Sequence, residues 1–147
     1  MTKLTYSDIP HDWAICYQSD CPLSAQCLRH HAALLAPANL LHHDLVLPAA
    51  RHDDDCQAFV PNEPVTLAYG MKNLYDDLKP WDIPRVRMDV EEIFGNQRRY
   101  YRFREGRYPI LPEQQAQVAD IFRRNGYTSE PHFDRTETTY YFPKVTK

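Results

Sequence analysis

Glycine is scarce in this chain. Four are spread over 147 residues, at Gly70, Gly95, Gly106 and Gly126. A phosphate-cradling loop needs several close together, because bare backbone N–H groups must converge on the anion, so none is expected. Long apolar runs are also missing. No window approaches the roughly 18 consecutive apolar residues of a membrane span. The opening "MTKLTYSDIPHDWAIC" carries one lysine and no apolar stretch. A secretion leader is therefore not expected, and the cytoplasm is the expected location. There is no nucleophile elbow, no zinc-protease helix motif and no internal repeat. Catalysis is not the expected role, although a cysteine and a histidine that meet only in the fold would leave no local signature.

What is abundant is sulfur in one place. Three of the four cysteines fall within twelve residues, as Cys16-x4-Cys21-x5-Cys27, and Cys56 follows after 28 intervening residues. In a reducing compartment such a cluster points to metal binding or reactivity rather than to disulfides. Four thiolates match the coordination demand of tetrahedral zinc or of an iron–sulfur cluster, and soft sulfur disfavours calcium and magnesium. The pairs with two intervening residues found in zinc ribbons are missing. Three near cysteines, a distant fourth and a proline directly after Cys21 are closer to a cubane site. Zinc and a 4Fe–4S cluster both stay open as the cofactor of Cys16, Cys21, Cys27 and Cys56. The competing readings are small buried hydrophobes, or disulfides and redox thiols.

Six of the seven histidines lie in the same region. If Cys27 lies on a helix, His30 and His31 share its face three and four residues on, so a mixed-ligand zinc site is a further option. "RHDDDC" sets three carboxylates beside Cys56, which reads first as a solvated acidic loop.

Charge is uneven along the chain. Residues 1–83 carry 5 basic and 11 acidic side chains, a balance of −6, whereas residues 84–147 carry 12 and 9, a balance of +3. An anionic partner would meet the C-terminal half. The composition changes near "VPNEPV", which divides a Cys/His-rich subregion, 1–62, from a helical subregion, 63–147. The expected class is α+β, mainly helical.

In the first subregion a helix is expected over Ser24–Leu35, stopped by Pro37, with strands at "DLVL" and "CQAFV". In the second, Leu67, Met71, Leu74 and Leu78 have the spacing of one helix face. Pro84 opens another helix with Val86, Val90, Ile93 and Phe94 as its stripe, up to Gly95. A third covers Arg98–Glu105. A fourth starts at Pro112, turns Val118, Ile121 and Phe122 inward, and stops at Gly126. The tail "HFDRTETTYYF" alternates like a β-hairpin.

Between Gln97 and Arg107 there are five arginines and one glutamate, interleaved with Tyr100, Tyr101 and Phe103. Arginine neutralises phosphate and pairs two-pronged with guanine, so Arg98, Arg99, Arg102 and Arg104 are candidate nucleic-acid contacts, with Gln97 as a base reader. The run of helix, Gly95, short turn and arginine-rich helix resembles the helix-turn-helix of the repressor-and-Cro superfamily. That resemblance implies double-stranded DNA as a partner, with the second helix in the major groove. It places Val90, Phe94 and Tyr101 at apolar positions. It departs at Glu91, where a small residue is usual, at Asn96, where a branched apolar one is usual, and at Glu105-Gly106, one residue early. Shortening the turn by one would bury Tyr100 and Phe103 instead.

The whole chain is also similar to a family of short bacterial proteins of unknown function, through "C-x4-CP-x4-CLR" and "FG…YYRFREG…PEQQ". That likeness implies no activity. The resulting expectation is a metal-binding protein with a regulatory, DNA-binding role. The alternatives are a metal-stabilised adaptor for another protein, and a small iron–sulfur electron carrier or enzyme.

Overall fold

A computed structural model describes residues 3–144. The chain divides into two compact units, one formed by residues 1–64 with 140–147, the other by residues 65–139. The fold is α+β.

In the first unit, helix α1 spans Leu28–Leu35. It ends where Pro37 holds Ala36 extended, at φ −64° and ψ 139°. The helix expected from Ser24 is interrupted. Ser24–Gln26 forms a 3-10 turn, and Cys27 is extended at φ −102° and ψ 123°. Cys27 takes that geometry because it bridges Pro61 in antiparallel fashion. It therefore precedes α1 rather than lying on it. Leu28, Ala32 and Ala33 of α1 are buried with Leu4, Ile9, Trp13, Ile15 and Val60.

Strands β1, Arg51–His52, and β2, Asp55–Cys56, make a minimal hairpin. Asp53 turns it in the left-handed region, at φ 52°. The two strands expected here are much reduced. "CQAFV" contributes only Cys56, and "DLVL" only a single parallel bridge from Leu45 to Ile15. Pro48 and Pro61 follow these stretches and donate no N–H, so neither ladder extends. Residues 140–144 return to this unit: Tyr140 and Phe142 pack on its core, and the Trp13 Nε1–H donates to the Pro143 carbonyl at 2.7 Å.

The second unit pairs β3, Val65–Tyr69, with β4, Arg135–Thr139, antiparallel from Val65↔Thr139 to Tyr69↔Arg135. Two expectations are corrected here. No helix forms over Leu67–Leu78, and the tail is one long-range strand rather than a hairpin. Val65, Thr66 and Tyr69 favour extended backbone, and β4 supplies a partner that local periodicity cannot reveal. Met71, Leu74 and Leu78 still point inward, but from successive i→i+3 turns.

The remaining helices follow the local signals. Helix α2, Ile83–Ile93, carries Pro84 in its first turn and buries Val86 and Val90. Helix α3, Gln97–Arg104, is capped by Asn96, whose Oδ1 accepts the Arg99 N–H at 2.9 Å. Helix α4, Pro112–Arg124, buries Val118, Ile121 and Phe122. Their apolar faces meet Phe94, Tyr100, Phe103 and Ile110 in one core.

Gly70 joins β3 to the turns at φ +83°, and an added Cβ would sit 2.5 Å from Asp134 Oδ2. That carboxylate accepts the backbone N–H groups of Lys72 and Asn73 at 3.0 and 3.2 Å. Gly70→Ala should therefore strain the backbone and displace the acceptor together. We expect a loss of about 1–3 kcal/mol in urea unfolding, and a loss below a tenth of that range would contradict the close packing.

Candidate metal centre

The four cysteines reach one place by four different local devices. Cys16 follows the buried Ile15 and donates its N–H to the Arg29 carbonyl at 3.0 Å. Cys21 sits in a turn, receiving Ser24 N–H on its carbonyl at 3.1 Å, with Pro22 fixing the next φ. Cys27 stands extended before α1, and Cys56 ends the β1–β2 hairpin. Chain folding brings these segments together around a single narrow cavity. Cys16, Cys21, Cys27 and Cys56 all line it, with Leu23, Val46, Ala58 and Phe59 as apolar wall. It is a tight cavity of about 20 Å³. No aspartate or glutamate lines it.

All four cysteines are free thiols and half-buried. Among the described residues, no three His, Cys, Asp or Glu side chains are arranged to hold a single ion. Burial pushes the Cys16 thiol up from its ordinary range, the Gln18 backbone N–H opposes this, and the other three sulfurs add to the rise. In a cavity of this kind thiolates form readily only beside compensating positive charge.

That charge is present. Arg29 lines the same cavity and is 2% exposed, the one buried charged side chain among the described residues. Its Nε, Nη1 and Nη2 donate to the carbonyls of Ala58, Ala14 and Pro143 at 2.7, 2.6 and 2.9 Å, and among the described residues it has no carboxylate partner. Burial holds its pKa below the usual guanidinium range, against the pull of Cys27, Cys56 and Cys16. Arg51 lies beside Asp20 and Cys21, which both raise its pKa. It pairs with Asp20 at 3.4 Å, while its Nη1 is shielded from water without a hydrogen-bond partner. Sequence reasoning missed both residues. A signal existed: Arg29 and Arg51 are the only arginines before residue 84, and Arg29 falls on the apolar face of its helix.

The histidines divide. His30 lines the cavity, and its Nδ1 is 3.0 Å from the Cys16 carbonyl. His31 turns to Asn62, 2.9 Å from Nδ1 to Oδ1. The helical register assumed between Cys27 and these residues does not exist, because Cys27 is outside α1. Asp53, Asp54 and Asp55 are exposed at the hairpin turn.

The arginine-rich helix lies in the other unit. Tyr100 and Phe103 are its buried pair, and Tyr101 is exposed, which corrects the apolar role given to Tyr101. Gln97, Arg98, Arg99 and Arg102 are exposed, and Arg104 is half-buried with its guanidinium 6.0 Å from the Tyr101 ring centroid. Asn96 departs from the helix-turn-helix pattern because it caps α3. Glu91 pairs with Arg87 at 3.2 Å. Residues 65–139 carry twelve basic and twelve acidic side chains, so the unit as a whole is neutral.

A family model matches residues 1–142, nearly the whole chain. The chain belongs to DUF6078, a family of unknown function. Membership of DUF6078 carries both units together and assigns neither an activity. No curated protein and no solved structure matches the chain. Among the described residues, no helix is long and apolar enough to cross a membrane.

Proposed function

We propose that this DUF6078 chain is a metal–thiolate protein whose centre is held by Cys16, Cys21, Cys27 and Cys56. One observation carries the reading: Cys16, Cys21 and Cys27 from one twelve-residue stretch and Cys56 from the β1–β2 hairpin line a single cavity. Thiolate sulfur selects zinc or iron–sulfur chemistry, and such a centre would supply binding free energy to the unit around it. The test is metal analysis with a thiol count on protein purified without oxygen. Metal bound in fixed ratio with all four thiols protected supports the reading. Metal-free protein with four reactive thiols rejects it.

A second reading concerns the α3 surface. Helix α3 turns Tyr100 and Phe103 to the core and leaves Gln97, Arg98, Arg99 and Arg102 in solvent, with no acidic residue in its eight. This favours a small phosphate-contacting face and a regulatory, DNA-binding role. The metal unit would then be its stabilising or sensing partner. The triple variant R98Q/R99Q/R102Q should weaken duplex binding at least tenfold. It should also lower the slope of log affinity against log salt by about one per arginine. Fluorescence anisotropy on a labelled duplex measures both. No duplex binding at low salt would leave a protein adaptor as the remaining role for this face.

A further inference from the structure

Three features of the cysteine cavity bear on which centre it takes. The first is space. Four sulfurs bound to one zinc lie about 2.3 Å from it and about 3.8 Å from one another, in mutual contact, which leaves no void between them. Here all four cysteines border one cavity, yet among the described residues no three His, Cys, Asp or Glu side chains are arranged to hold a single ion. A polynuclear cluster spreads its thiolate ligands further apart, because an iron atom stands between each sulfur and the centre. The second is the wall. Leu23, Val46, Ala58 and Phe59 close the cavity with apolar surface and exclude water, and cluster chemistry is sensitive to solvent access. The third is charge. Arg29 is a permanent cation buried at this cavity, and among the described residues its hydrogen bonds all go to carbonyls. Carbonyl dipoles solvate a guanidinium without neutralising it, and an uncompensated buried charge costs several kcal/mol, roughly. Four thiolates on a partly compensating metal core make a net anion, which supplies the missing opposite charge. Arg51 adds a second cation beside Cys21, with a shielded Nη1–H still unused.

We propose that the cavity seats a four-iron, four-sulfide cluster on Cys16, Cys21, Cys27 and Cys56, with Arg29 and Arg51 as its fixed counter-charges. The proposal rests on the metal–thiolate reading above and goes further, to the cofactor and its tuning. Taking one electron from a one-electron donor adds a negative charge to the cluster and forms no bond. Fixed positive charge stabilises that reduced state, so both arginines raise the reduction potential.

The test uses the full chain, purified without oxygen or reconstituted anaerobically with ferrous iron and sulfide. Iron, sulfide and zinc are counted, and the midpoint potential is titrated with dithionite for the unmodified chain, R29K, R29Q and R51Q. About four irons and four sulfides per chain are expected, with absorption near roughly 400 nm that dithionite bleaches. R29Q and R51Q should titrate at lower potential, and R29K, which keeps the charge, close to the unmodified chain. Should R29Q fail to fold, R51Q carries the test, since Arg51 sits on a short surface hairpin. One zinc per chain without sulfide overturns the cluster and leaves the metal–thiolate reading standing. A chain that binds no metal overturns both. An unchanged potential in either folded glutamine variant overturns the counter-charge role.

Discussion

With the proposed four-thiolate centre, Cys56→Ser is expected to lose at least nine-tenths of its bound metal under dialysis against a chelator that leaves the unmodified chain loaded. Cys56 comes from the β1–β2 hairpin, whereas the other three cysteines lie within residues 16–27. In the proposed centre it is the sulfur that would tie the hairpin to the start of the chain. A metal held by four thiolates links its segments with a binding free energy of about 10–16 kcal/mol in small zinc modules. Losing one ligand of four forfeits a large part of that. For a unit of this size each kcal/mol moves the melting temperature by about 4–8 °C. A fall of more than about 10 °C should follow in the oxygen-free, metal-loaded comparison. His31→Ala is the control. His31 is bonded to Asn62 and does not line the cavity, so its metal content should match the unmodified chain. Full retention of metal by Cys56→Ser would remove the four-thiolate centre.

The second large effect concerns Trp13, which is 1% exposed and the largest of the fully buried side chains. Phe142 meets its ring edge-on at a centroid distance of 4.9 Å. The Arg29 guanidinium lies 4.3 Å over its ring, and its Nε1–H holds the Pro143 carbonyl. Trp13 is thus the surface on which the cation and the returning C-terminal segment are both seated. Trp13→Ala should cost about 3–5 kcal/mol. That is a large share of the roughly 5–15 kcal/mol that stabilises a whole domain. Trp13→Phe keeps one aromatic ring at this place and loses the indole N–H with part of the ring area. The Pro143 carbonyl still accepts from Arg29 Nη2 at 2.9 Å, so the loss should be about 1–2 kcal/mol. Urea unfolding followed by circular dichroism separates the two. Equal losses would mean that the ring's packing is not what holds this region.

The positive balance of residues 84–147 illustrates how linear reading misplaces a physical property. Asp76, Asp77 and Asp82 precede that boundary yet fold with the arginines, and Lys144 follows it yet folds with the other unit. Once the chain is divided as it folds, residues 65–139 are neutral, and the basic character contracts to the solvent face of α3. The arginines that face the cysteines were hidden for the opposite reason. Arg29 reads as one more polar residue in "CLRHH" until burial shows it among Leu28, Ala32 and Trp13.

The amino-acid sequence by itself determined helices α2, α3 and α4. Pro84 to Gly95, Asn96 to Gly106 and Pro112 to Gly126 each hold their start, their stop and their apolar stripe within a few turns. The energies that define those helices act between near neighbours, and a short window contains them all. Only the tertiary structure decided that Val65–Tyr69 is a strand, because its partner is Arg135–Thr139. It alone decided that Cys27 stands outside its helix, held by Pro61. It also decided which sulfurs share a wall with Arg29. Those outcomes are sums of contacts between segments far apart along the chain. The loop-closure entropy that opposes them is repaid only when the whole unit assembles.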